Sequence, residues 1–451
     1  MKRRLKEESV LFMSVFKWLV LATVIGIIAG LSTALFLKIL NWSTAYARQF
    51  HWYFLLLPLA LLASALIVKY LAPEAGGQGT EKVIEAVHNS SGKMNAMVVP
   101  VKLVATIITL AFGGSAGKEG PCAQIGGGLA SVFADIFKFA DIDRRKLVIC
   151  GISGGFASVF GTPIAGAIFG IEVLFVGSIR YDVLLPSFVT GLISYQVSSW
   201  LGITYFHHPV TIVPVFSEAF FIKVAIAGVF FGLASIMLIE MLRAGKAVAG
   251  KIRLPMPIKS IIGGAALIII TLILSTNYLG LGLEVMESAF EGRRIPWYAF
   301  ILKTVTTSIT LNFGGSGGIQ TPIFFIGSTF GSFLSHILKV DAGMLSAIGF
   351  VSVLAGAANT PIAASIMAVE LFGPQVAPYA SVACVISFVI TGHRSVYPSQ
   401  ILSIKKSASI QVETGKEIET VGPHYQMRDK SLLRTLRYLK DTAEKITGNK
   451  K

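Results

Sequence analysis

The chain has 451 residues, of which 53% are hydrophobic and only 14% charged, and its mean hydropathy is +0.71. That excludes a soluble enzyme and points to a polytopic membrane protein. The net charge of +15 flanks the apolar runs and follows the ordinary pattern around membrane spans, which argues against nucleic-acid binding.

The N-terminus, MKRRLK, opens a short basic head over 1–10. An apolar run over 11–40 with Lys17 inside it and no small-residue cleavage site predicts a retained first helix. Further runs fall at 53–72, 100–115, 122–140, 146–160, 163–178 and 183–202. Several are shorter than the ~20 residues that span a bilayer, which suits half-helices whose ends line a cavity or pack on protein. A glycine-rich turn, PEAGGQGTEKVIEAV at 73–87, opens a helix after the second run and places Gln78 between Gly77 and Gly79.

The next break carries chemistry. AFGGSAGKEGPCAQIGGGLASV at 111–132 recurs as NFGGSGGIQTPIFFIGSTFGSF at 312–333, at a fixed offset of 201. A second pair follows, GTPIAGAIFGIEVLF at 161–175 and NTPIAASIMAVELFG at 359–373, matching Pro163 to Pro361 and Glu172 to Glu370. Two halves with broken helices at matching positions predict a transporter with its substrate at the breaks. Glu119, before Gly120 and Pro121, is a carboxylate at the start of a helix expected from about 122. Such an end presents unpaired N–H groups and partial positive charge, and it binds anions. A glutamate there occupies the anion site with its own carboxylate, and protonation removes that competition. Lys118 adds positive potential or pairs with Glu119. The matching position in the second half is the neutral Gln320. One ionisable half and one neutral half suit an anion pathway with a single proton-sensitive gate.

The segment HHPVTIVPVFS forms a connector over 204–217, where the adjacent His207 and His208 read as loop residues. The chain thus divides into the head, a first membrane repeat (11–203), the connector, a second repeat (218–398) and a tail (399–451). Glu172 and Glu370, as repeat partners, point to a shared structural role. Lys102 and Lys303 fall near helix ends, where they snorkel or cap carbonyls. Cys122, Cys150 and Cys384 lie in apolar stretches without CxxC spacing, so no disulfide, metal site or cofactor is expected. Spacings such as Gly151/Gly155, Gly166/Gly170 and Gly327/Gly331 predict close helix packing. Tyr397 follows the last apolar run, where its hydroxyl is a donor at the interface or to an anion. The tail carries eleven Lys/Arg against six Asp/Glu after residue 400, with a polar helical pattern near 428–446. Basic residues at both ends predict that both termini are cytoplasmic, in the cell (inner) membrane.

GKEGP at 117–121, GGIQTP at 317–322, the paired proline-to-glutamate helices and the late tyrosine resemble the CLC family of chloride channels and proton-coupled chloride exchangers, over about 70–400. The resemblance implies an all-α polytopic membrane protein of two inverted repeats with broken and half-spanning helices. It also implies a homodimer with one pore per subunit and a central anion site formed by helix N-termini. Glu119 matches the gating glutamate. Ile319 and Gln320 match the residues whose amides hold the anion, with Gly120 beside them. Gln78 matches a serine that reaches the ion, and Tyr397 the central tyrosine. Gly77, Gly79, Gly117, Lys118, Pro121, Gly318 and Pro322 complete the filter elements. The chain departs from the family where Gln78 and Glu81 replace a serine and a proline, and where Gln320 replaces a phenylalanine. Val173 occupies the position of a glutamate that relays protons from the cytoplasmic side in exchangers. Val173 leans towards a channel, and the compact chain without a large cytoplasmic module towards an exchanger. A sodium-coupled inverted-repeat transporter of an organic solute is the alternative. A membrane enzyme with Glu119 as base lacks a nucleophile beside it.

Overall fold

A computed structural model describes residues 2–208, 217–407, 410–421 and 438–439. Most of the connector (209–216) and of the helical pattern at 428–446 lies outside the described residues. The first half contains α1 (Lys2–Arg48), α2 (Leu57–Leu71), α3 (Gly79–Asn89), α4 (Val98–Ala111), α5 (Glu119–Ile136), α6 (Asp141–Phe160), α7 (Pro163–Glu172) and α8 (Leu184–Trp200). The second contains α9 (Glu218–Lys251), α10 (Met256–Ile273), α11 (Leu283–Phe290), α12 (Ala299–Asn312), α13 (Gln320–Leu338), α14 (Ala342–Ala358), α15 (Pro361–Phe372) and α16 (Ala377–Thr391). Six helices among the described residues are long and apolar enough to cross a membrane. The basic head does not stand apart, because α1 runs through it from Lys2. At ~1.5 Å per residue α1 is longer than a ~30 Å hydrocarbon core requires.

The two halves repeat each other in packing. α5 lies on α6 as α13 lies on α14, and α1 on α8 as α9 on α16. Small residues allow this closeness: a Cβ at Gly166 would lie 2.6 Å from the Ala157 backbone, and one at Gly155 would collide with the Cys122 carbonyl. The turns also match. Gly113 and Gly314 take φ of 97° and 100° just after α4 and α12, conformations that side chains with a Cβ resist.

Between the halves the contacts are reciprocal. The Ser115 amide donates to Thr310 Oγ1 at 3.0 Å, and the Ser316 amide to Thr109 Oγ1 at 3.0 Å. Gly117 and Gly318 exchange both amide-to-carbonyl bonds, each 2.7 Å. Residue i meets j, and the mate of i meets the mate of j, as a pseudo-two-fold between inverted repeats requires.

Two features differ from a purely helical reading. The run 163–178 does not continue as helix. α7 stops at Glu172, and β1 (Phe175–Val176) pairs in parallel with β2 (Ile401–Leu402), tying the chain after α16 to the first half. His208 is in a loop, where its amide donates to the Leu371 carbonyl at 3.1 Å and its ring lies 6.1 Å from that of Phe206. The three cysteines are buried and unbridged.

Candidate anion-binding site

Three broken helices begin at one point. Gln78 and Gly317 bridge in parallel, and Gly117 and Gly318 antiparallel, so the chain entering α3, α5 and α13 converges at the molecular centre. Glycine makes the approach possible. A Cβ at Gly79 would collide with the Gly120 carbonyl, and one at Gly318 would lie 2.6 Å from the Gly120 nitrogen. The first amides of each helix have no intrahelical acceptor, and together they give the centre partial positive charge.

Glu119 occupies that centre. It is 1% exposed, and it is the first residue of α5, three residues earlier than the pattern predicts. Its carboxylate turns to the other half: the Thr321 amide donates to one oxygen at 3.1 Å, and the Thr321 hydroxyl reaches both oxygens at 2.6 Å. A carboxylate of the first repeat therefore caps α13 of the second. Thr321 has no assigned role in the sequence reading. Its signal is a hydroxyl on the first turn of a broken helix, one residue before Pro322.

The other residues of the expected site lie about this pair as follows. Ile319 is the residue preceding α13, with a buried side chain, and Gln320 is the first residue of that helix. Gln320 Nε2 donates to Thr80 Oγ1 at 2.8 Å. The Gln78 and Gln320 carbonyl oxygens and the Tyr397 hydroxyl are buried without hydrogen-bond partners. Thr80 and Gln320 lie against that hydroxyl. Of these three groups only the Tyr397 hydroxyl can donate to an anion, since the two amide oxygens are acceptors.

On one side the centre opens to a cavity of about 60 Å³, lined by Lys118, Glu119, Thr321 and an aromatic group that includes Phe160, Phe206, Phe290, Phe324 and Phe350. Lys118 faces this cavity beside Glu119.

Residues 59–392 match the model of the family described as voltage gated chloride channel. This chain belongs to the CLC family. It is 37% identical, over 88% of its length and 89% of the relative's, to the chloride/fluoride channel protein of Pseudomonas syringae pv. tomato. It is 27% identical to the H(+)/Cl(-) exchange transporter ClcA of Klebsiella pneumoniae (strain 342), over 78% of this chain and 80% of that one. Among solved structures, a CLC-type fluoride/proton antiporter superposes with a TM-score of 0.83 at 28% identity, covering 87% of this chain and 99% of the other. A slow cyanobacterial Cl-/H+ antiporter, 21% identical with a TM-score of 0.72, shares the fold and covers 83% of this chain and 94% of that one. The CLC chain is an anion transporter of the membrane, and its named relatives are channels and transporters.

Five further residues of this CLC protein carry structure. Glu172 accepts from the Ile362 and Ala363 amides at 3.0 and 2.8 Å, and Glu370 from Ile164 and Ala165 at 2.9 and 2.8 Å. Both carboxylates cap a helix that starts with proline. Val173 beside Glu172 is buried, and its carbonyl accepts from Gln400 Nε2 at 2.7 Å. Lys102 and Lys303 do not snorkel. Both are fully buried, and each donates to two loop carbonyls: Ala75 and Gly77 for Lys102, Tyr278 and Gly280 for Lys303.

Proposed function

We propose that the chain exchanges a small halide, fluoride or chloride, for protons, with Glu119 as the station both use in turn. The observation that carries this is the Glu119 carboxylate seated on the N-terminus of α13. An ionised carboxylate there is held by an amide, a hydroxyl and the helix partial charge, and it fills the place an anion needs. Protonation cancels the charge that these donors attract. The side chain then leaves towards the adjoining cavity, and the anion takes the vacated amides. Gln78, Gly120, Ile319, Gln320 and Tyr397 line that seat, and Gly77, Gly79, Gly117, Lys118, Pro121, Gly318 and Pro322 shape its walls. The names of the relatives support a halide, and the two proton antiporters among the neighbours support exchange over passive conduction.

The cavity beside Glu119 holds a few waters or one small ion, which argues against an organic solute coupled to sodium. In the same reading the chain is not an enzyme. It forms a homodimer with one pathway per subunit in the cell inner membrane, and both termini are cytoplasmic. The membrane repeats are 11–203 and 218–398, with 1–10, 204–217 and 399–451 outside them. The family resemblance and the basic ends support these assignments.

The test is flux in liposomes holding purified protein, with fluoride or chloride and protons recorded together. The wild type is expected to drive protons uphill on an anion gradient. Glu119→Gln is expected to carry anions at a rate independent of pH, with no coupled protons. A variant whose flux still follows pH as the wild type does would remove Glu119 from the gate.

A further inference from the structure

The scheme above leaves one acid of the centre without a task. Glu81 stands in the first turn of α3, half-buried, next in sequence to the Thr80 that accepts from Gln320. Its Oε1 accepts from the Ser399 amide at 3.0 Å and the Ser399 hydroxyl at 2.6 Å. Its Oε2 is buried and has no partner. A cap for the turn at 399 uses only Oε1 and leaves the second oxygen buried and unfilled. An ion with an unfilled buried oxygen is costly, and adding a proton relieves that cost.

The charged and titratable groups about it come from four elements. Lys82 and Glu85 share its helix, and they pair with each other at 2.7 Å. Lys102 of α4 is bonded to the Ala75 and Gly77 carbonyls. Tyr397, after α16, and Glu119, at the head of α5, lie inward. Ser399, which holds Glu81, follows Tyr397 by two residues, so the carboxyl is anchored to the same short segment as the phenol. Glu119 borders the aromatic cavity, whereas Glu81 is bonded to the chain leaving α16. The Tyr397 phenol thus adjoins Thr80, the neighbour of Glu81, and Gln320, the neighbour of the Thr321 that holds Glu119.

We propose that Glu81 is the proton-loading carboxylate on the side of the tail, serving where Val173 offers no acid. A proton from that solution binds Glu81. The Tyr397 hydroxyl accepts from it, directly or by way of site water, while releasing its own proton towards Glu119. Glu81 is left ionised, Glu119 neutral and the tyrosine unchanged. This role rests on the exchange reading above.

The experiment uses the full chain in liposomes under an imposed chloride gradient, repeated with fluoride, with a proton-sensitive dye. Wild-type protein that moves anions without protons would overturn the exchange reading, and this role with it. With wild-type exchange established, Glu81→Gln is expected to pass anions while moving at least ~10-fold fewer protons per anion. An unchanged ratio in that variant would overturn the role of Glu81 and leave the reading of Glu119 intact. Ser399→Ala removes one bond of the cap and keeps the carboxylate, so the ratio should hold. A loss in Ser399→Ala as large as in Glu81→Gln would make Glu81 a structural cap only. Should Glu81→Gln not fold, Glu81→Asp replaces it. Its shorter side chain withdraws from Tyr397, so a lower ratio supports the role and an equal one overturns it.

Discussion

At the junction of α7 and α15, Glu172 accepts two amides of α15 and Glu370 accepts two amides of α7, all at 2.8–3.0 Å. At the centre, Glu119 accepts from the first turn of α13, but its mate Gln320 offers no carboxylate to α5. Both places solve the same problem, a helix N-terminus facing protein rather than water, with an acid from the opposite half. The first solution is filled twice, each acid answering the other across the two halves, so it acts as a lock. The second is filled once and adjoins a cavity, so its acid has somewhere to go. Chemistry does not separate a structural cap from a gate here. Symmetry and free space do.

The largest change should come from restoring the missing acid. Gln320→Glu places a second carboxylate beside Glu119, and two close acids cannot both ionise without cost. Anion efflux from liposomes at neutral pH should fall at least ~10-fold and recover as the medium is acidified. Undiminished efflux would show that the asymmetry between halves is unimportant. Next in size is loss of the lock. Glu172→Ala and Glu370→Ala each strand two amides, at about 1–3 kcal/mol per buried unsatisfied group. Both should lower the thermal unfolding midpoint in detergent, Glu172→Ala by more because Glu172 is the more buried. Neither should abolish the pH response of flux, and loss of that response would make the pair part of the gate. The smallest effect is expected from Thr321→Val, which removes a hydroxyl but keeps the amide. A bond to a charged group contributes about 1.5–3 kcal/mol, so the hold on Glu119 weakens by ~10-fold or more in equilibrium terms. Because opening is shared with other steps, flux at alkaline pH should rise several-fold. A fall would mean that Thr321 serves the anion rather than the closed gate.

The offset of 201 carried much of this into view before any coordinates. It pairs Gly117 with Gly318, which bond to each other across the midline, and Ser115 with Ser316, which bond there to Thr310 and Thr109. The placement of Glu119 at a positive helix end follows from its glycine and proline neighbours. The identity of that end was harder to see, since it belongs to α13 of the other repeat, and sequence patterns give periodicity within a segment rather than partners across one. Thr321 carries no role in the sequence for that reason, and Glu81, which stands out there only as a departure from the family pattern, gains one only once Ser399 is brought beside it. The parallel pairing of 175–176 with 401–402 is two residues long, too short to leave an alternating pattern.

The exchange of bonds between Gly117 and Gly318 has a consequence for how the machine can move. Chain from one repeat is sewn to chain from the other at the midline, with Gly79 wedged against the same backbone. Many carriers open one face by tilting one bundle away from the other, and a seam of this kind forbids it without tearing main-chain hydrogen bonds in a buried setting. On the exchange proposed above, turnover then comes from the swing of the Glu119 side chain while the seam stays closed, and the cargo is as small as the hollow that carboxylate leaves behind.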